Sequence, residues 1–189
     1  MATEQSNTFV QGVGSYGVHG VGLPGQLTLY PNPQYILTGL AGTGGVPFGR
    51  VIVGGTEAGL NTEYTLPTST SVTADLDGIS LISRRATADY SLDTSQNNQY
   101  EYSDGEVLNF LPKGAVATVI AYADEAVALG AILGVRITDT AEGTSLGAFT
   151  TFDSTDDTQV AYQATGEENY RVIRANTVAT GGIIEIAIY

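Results

Sequence analysis

YSDGEVLNFLPKGAVATVIAY, residues 102–122, decides how the chain is read. An acidic turn, Ser103-Asp104-Gly105, leads into the apolar run 107–111. Pro112-Lys113-Gly114 interrupts it, and a second apolar run follows to Tyr122. In Leu111-Pro112-Lys113-Gly114 the proline stands second and the glycine fourth, which suits a type I turn joining two antiparallel strands. In the second run Val116, Thr118, Ile120 and Tyr122 alternate with Ala115, Ala117, Val119 and Ala121. Both faces are apolar, so the run predicts a strand that is central or packed on both sides.

The two-residue period continues outward. RVIV (50–53) ends in Gly54-Gly55, and DGISLIS (77–83) opens on the turn signal Asp77-Gly78, with Ile79 and Leu81 on one face. GGIIEIAIY (181–189) sets Ile184, Ile186 and Ile188 against Ile183, Glu185, Ala187 and Tyr189, a half-buried strand. The best helical candidate, YADEAVALGAIL (122–133), is interrupted by Gly130 and followed by Gly134, so it reads as a loop or one short helical turn. Short strands punctuated by Gly, Asp and Pro predict an all-β fold, a small antiparallel β-barrel or sandwich over residues 49–189.

Residues 1–48 obey different physics. They hold one acid, Glu4, while the other nineteen acids and all seven bases come later. They are rich in Gly, yet carry Phe9, Tyr16, Tyr30, Tyr35, Phe48 and many aliphatic residues. A solvated tail is normally charged and poor in apolar groups, whereas Gly-rich chain costs too much backbone entropy to order alone. The segment reads as a long extended Gly-rich N-terminal arm that gains order on another surface, its own body or a neighbouring subunit. A flexible linker is the alternative.

Charge and composition exclude several functions. Twenty acids against seven bases give a net charge of −13, which opposes nucleic acid and anionic membranes as partners. MATEQSNTFV lacks the basic and apolar regions of a signal peptide, and no apolar run nears the ~20 residues of a membrane span. The chain reads as soluble and made in the cytoplasm. With no Cys and one His, thiolate metal sites and Cys catalysis are out. GVGSYG (12–17) matches a dinucleotide fingerprint, but Gly20, Gly22 and Pro24 forbid the helix such a site needs. His19 has no oriented carboxylate around it and reads as a contact residue. Asp75-Leu76-Asp77-Gly78 lacks the further ligands of a calcium loop. Asp153, Asp156 and Asp157, like Glu167-Glu168, read as solvated acidic loops. No catalytic residue, cofactor, metal or small-molecule substrate is expected. Arg84, Arg85 and Lys113 are scarce bases on an acidic surface, and either receive a partner's carboxylates or pair within the chain.

In order along the chain stand GRVIVGG (49–55), LDGISLISRR (76–85), residues 102–133 from YSDGEVLNF to LGAIL, LGAFTTFDS (146–154) and YRVIRANTVATGGIIEIAIY (170–189). This order, with Gly49, Gly78, Tyr102, Gly105, Glu106, Gly114, Gly130, Gly147, Phe149, Gly181 and Gly182 at the matching positions, resembles the structural cement, or capsid decoration, proteins of tailed bacteriophages. The resemblance covers the body and not the arm. It implies a small β domain on the outer surface of an icosahedral virion, often a homotrimer, bridging copies of the major capsid protein, with no enzymatic role. Contacts to capsid or neighbouring subunits are then expected from Phe9, Tyr16, His19, Tyr30, Tyr35 and Phe48 of the arm and from Arg84, Arg85 and Lys113, because buried aromatics and Arg dominate interfaces. Glycines between the arm's anchors suit β-augmentation. The competing class is a tail- or fibre-associated carbohydrate- or receptor-binding module, for which TSQNNQYEYSD (94–104) is the candidate loop. A trimeric β hydrolase lacks a base–nucleophile pair.

Overall fold

The computed structural model describes residues 23–29, 36–58, 61–82, 101–139, 145–163 and 169–189. Among these the chain is all-β, with one 3-10 turn at Thr73–Asp75 and no α-helix. The strands are β1 (Leu27–Leu29), β2 (Leu37–Ala41), β3 (Val46–Pro47), β4 (Val51–Ala58), β5 (Asn61–Thr65), β6 (Leu76–Ser80) and β7 (Glu101–Tyr102). They continue as β8 (Val107–Pro112), β9 (Ala117–Ala123), β10 (Leu133–Arg136), β11 (Phe149–Thr151), β12 (Gln159–Ala161), β13 (Tyr170–Arg174) and β14 (Gly182–Ile188).

Five of them close a barrel in the order β2-β5-β4-β6-β8, and β8 pairs back to β2. Six others form a sheet in the order β12-β10-β11-β9-β14-β13, to which β1 adds as a seventh by pairing with β9. β3 and β7 make a separate two-stranded ribbon. Most pairings are antiparallel; β2 with β5 and β11 with β9 are parallel.

Strand alternation explains how the two units meet. Val51, Val53, Ile79 and Leu111 on the wall β4-β6-β8 face the sheet and join Val119, Ala121, Ile184, Ile186 and Ile188 in the main core. On the wall's other side Ile52, Leu108 and Phe110 turn into the barrel and form a second core with Ala41, Val46, Phe48 and Tyr102. A Cβ at Gly78 would lie 2.2 Å from the Leu111 carbonyl oxygen, so only glycine lets β6 and β8 approach there. The terminal run behaves as its period predicts: Ile184, Ile186 and Ile188 are buried, each burial stabilising by about 1.5–3 kcal/mol. β9 is central, with β14 along one edge and β11 and β1 along the other.

Three expectations are corrected. The Leu111–Gly114 stretch does not close a hairpin. β8 is held between β2 and β6, while β9 lies in the other sheet, so the turn carries the chain from barrel to sheet. Ala115 N–H donates to the Pro112 carbonyl (3.1 Å), and Gly114 has φ +87°, so proline stands first and the positive φ third, as in a type II turn. Asp77-Gly78 is no turn either. It lies inside β6, where the register slips from Ile52↔Gly78 to Val53↔Leu76 and leaves Asp77 as the bulge residue. Its carboxylate accepts from Gly54 N–H. Finally, the described part of the segment expected to be an arm is built into the body. β2 completes the barrel, and residues 25–29 run along β9, with Gly25 N–H donating to the Ile120 carbonyl (2.7 Å) and Ile120 N–H to that of Gln26 (2.9 Å). Residues 1–22 and 30–35 lie outside the described residues.

Gly78→Ala is expected to cost about 3 kcal/mol, as overpacking against backbone does. Gly114→Ala, which meets open space and suffers only from its positive φ, should cost about 1 kcal/mol. Chemical denaturation of the two variants checks the order.

Candidate interaction surface

Of the nine residues read as partner contacts, the structure describes two. Phe48 is 4% exposed and packs edge-on against Tyr102, with ring centroids 4.9 Å apart. Tyr102 in turn donates its hydroxyl to the Leu81 carbonyl and accepts from Asn109 N–H. Phe48 therefore serves the chain's own core, because the ribbon β3–β7 seats it there. Lys113 is half-buried, and its ammonium donates to the Thr73 carbonyl (2.9 Å). Phe9, Tyr16, His19, Tyr30, Tyr35, Arg84 and Arg85 lie outside the described residues.

Two bases that the sequence did not single out hold the interior. Arg50 is 1% exposed, stacks on the Tyr122 ring at 4.1 Å and donates to the Leu146 carbonyl (3.3 Å). Burial pulls its guanidinium down to about 10, still protonated at neutral pH, with Tyr122, Asp124 and Asp139 opposing the shift. The residues beside it tie the same seam: Tyr122 N–H donates to the Gly49 carbonyl (3.0 Å) and Val51 N–H to that of Gly147 (2.8 Å). Arg136 binds Asp124 at 2.7 Å and Asp156 at 2.8 Å, with Glu125 at 3.6 Å. Burial raises the Asp124 carboxyl despite that pair. Hydrogen bonds from Thr158 and Gln159 hold Asp156 below the usual carboxylate range.

A cleft of about 600 Å³ lies beside this network, lined by Glu125, Arg136, Phe152, Asp153, Asp156 and Gln159 among others. Its polar groups largely satisfy one another, since Asp153 accepts from Thr155 and Asp156 from Thr158. The repeated Asp-x-Thr at 153–155 and 156–158 was the available sequence signal, because Asp side chains fold back on backbone two residues on. The three acids read as a solvated loop are thus partly an Arg136 clamp.

A different surface remains unspent. The loop 127–132 runs along the outer edge of β13: Val127 and Asn176 exchange backbone hydrogen bonds (2.8 and 3.1 Å), and Gly130 N–H donates to the Val172 carbonyl (3.1 Å). The loop thereby covers a strand edge that would otherwise template pairing. Between loop and strand lies a cavity of about 190 Å³ lined by Gly130, Ala131, Ile132, Tyr170, Arg171 and Tyr189. Leu129 of the loop and Ile132 and Tyr189 at the cavity are exposed. Among the described residues Arg171 has no carboxylate partner.

Comparison with known families is decisive. The family described as structural cement protein (E217 gp24/Pam3 gp6) matches residues 11–189. The chain belongs to the phage structural cement proteins. No individually curated protein matches it. The cement protein is therefore a structural, capsid-associated component of a phage virion. The match also takes in most of the segment 1–48, including the part that completes the barrel.

Arg50→Ala should cost about 3–5 kcal/mol, since it empties a buried site and strands its partners. The acid limb of stability should carry two opposed contributions. Asp156, with its folded pKa depressed, stabilises above the ordinary carboxylate range and loses that as pH falls through and below about 4. Asp124, with its folded pKa raised by burial, is penalised while ionised, and that penalty is relieved as pH falls through its raised folded value towards the ordinary carboxylate range, above the window of Asp156. Asp156→Asn should flatten the fall of Tm towards acid and Asp124→Asn should steepen it, as thermal melts from pH 7 to 3 would record.

Proposed function

We propose that the cement protein binds the outside of an icosahedral phage shell and bridges neighbouring copies of the major capsid protein, assembling there as a homotrimer. The observation that carries this reading is the family match over residues 11–189. The physics agrees. A bridge must resist deformation, and here two cores share one barrel wall and a buried Arg50 crosses the seam between barrel and sheet. A net charge of −13 suits an outward face that repels other particles. Many copies on a symmetric lattice multiply a modest affinity into a firm hold. Phe9, Tyr16, His19, Tyr30, Tyr35, Arg84, Arg85 and Lys113 are the proposed contacts to shell or neighbouring copy, and Phe48 is withdrawn to the core.

The test uses shells of the parent phage grown without this gene. The added cement protein should co-sediment with them and raise the temperature at which they break, and light scattering should give the mass of three chains. Removing residues 1–22, which spares every described strand, should weaken binding at least about tenfold if Phe9, Tyr16 and His19 are anchors. Equal binding by the truncated chain would remove those three residues from the interface.

A further inference from the structure

We infer that Asp104-Gly105 is a self-modification site at which Asp104 isomerises to isoaspartate, and that the conversion releases the end of β2 from the turn that locks it beside β8. The inference is independent of shell binding and concerns how long the barrel keeps its closure.

An aspartyl residue followed by glycine is open to attack by its own backbone, because glycine has no Cβ to crowd the approach. The glycine nitrogen bonds to the side-chain carboxyl carbon, its N–H proton and the carboxyl OH leave as water, and a five-membered imide results. Water then adds to one of the two imide carbonyls. Where the bond from nitrogen to the former main-chain carbonyl breaks, the chain runs on through the side chain, one methylene longer. One water is lost and one regained, so the residue keeps its atoms and its charge but changes its backbone.

The chain has two Asp-Gly pairs, Asp77-Gly78 and Asp104-Gly105. At the first, both reacting groups are held. The Asp77 carboxylate accepts from Gly54 N–H, and Gly78 is buried in the ladder between Ile52 and Pro112, hard against the Leu111 carbonyl. At the second, Ser103, Asp104 and Gly105 are exposed, and a Cβ on Gly105 would meet open space. Among the described residues the Asp104 carboxylate accepts no hydrogen bond and joins no ion pair. Gly105, at φ +73°, sits in a turn closed by Glu106 N–H to the Ser103 carbonyl (2.9 Å), and glycine leaves this turn for other conformations at little steric cost. The nitrogen is restrained by its bond to the Ala41 carbonyl (2.7 Å), which must open before the ring closes.

That bond is also what conversion destroys. Ala41 N–H donates to the Glu106 carbonyl (2.8 Å) while the Ala41 carbonyl accepts from Gly105 N–H, which extends the β2–β8 ladder one step past Leu40↔Val107. A methylene inserted between Asp104 Cα and Gly105 moves the Gly105 N–H out of register with Ala41. The seam by which β8 pairs back to β2 then starts one step later, and the end of β2 is left unpaired.

The folded protein is aged in mildly acidic buffer, where more of the Asp104 side chain is the neutral carboxyl that loses water, and its peptides are resolved by chromatography. Isoaspartate is expected at position 104 and not at 77. In hydrogen exchange the aged protein should lose protection at the Ala41 and Gly105 amides in proportion to the converted fraction. Asp104→Glu, exposed and with a six-membered ring to close, should keep the parent Tm and its protection over the same period. Conversion at 77 equal to or above that at 104 overturns the assignment, and so does the absence of conversion at 104 until the protein is denatured. Converted protein that keeps its Ala41 amide protected, or Asp104→Glu that loses this protection as fast as the parent, overturns the release of β2.

Discussion

The wall β4-β6-β8 must be apolar on both faces, and the rest of the structure depends on that constraint. One face closes the barrel around Ile52, Leu108 and Phe110; the other lays Val51, Val53, Ile79 and Leu111 on the sheet. A wall of this kind has no solvent side to absorb error. The bulge at Asp77 resets the period so that Leu76 and Ile79, three apart, both reach the sheet side. The displaced carboxylate finds Gly54 N–H, and the Asp77 carbonyl accepts from Lys113 N–H (2.7 Å), so the irregularity leaves these groups paired.

Rigidity across the seam follows from where the chain passes. Residues 49–51 belong to the barrel by sequence and to the sheet by hydrogen bonding, and Arg50 between them is sealed under Tyr122. Ser80 reinforces the same point, its hydroxyl donating to the Pro47 carbonyl (2.6 Å) and accepting from Arg50 N–H (3.1 Å). Residues 25–29 act as a strap over β9, bonded to Ile120 and, through the Gly25 carbonyl, to Ile82 N–H (3.0 Å). Barrel and sheet are thus one mechanical object.

The acidic composition has two destinations. Some carboxylates are internal, around Arg136 and Arg174. Other described acids, Asp75, Asp104 and Asp157 among them, are exposed. That contrast comes from the distribution of charge and is invisible to the net figure of −13.

Much was legible locally. The alternation in residues 115–122 and 183–188 determined two strands and their buried faces, because side-chain period in a strand is set by the backbone alone. The glycine-broken stretch 122–133 determined a loop for the same kind of reason. The family, too, was legible from the order of the turn glycines. What the period could not say is which strand pairs with which. Leu111–Gly114 looks like a hairpin turn, but partners for β8 and β9 had already been taken by β2, β6, β14 and β11. Asp77-Gly78 looks like a turn, yet Gly78 is demanded by a carbonyl from another strand. Phe48 and β2 looked like a greasy arm, and the barrel claimed them because its ring could not close without β2. The sequence by itself determined which residues avoid water; only the tertiary structure decided against what, because pairing and burial are settled between segments distant in the chain.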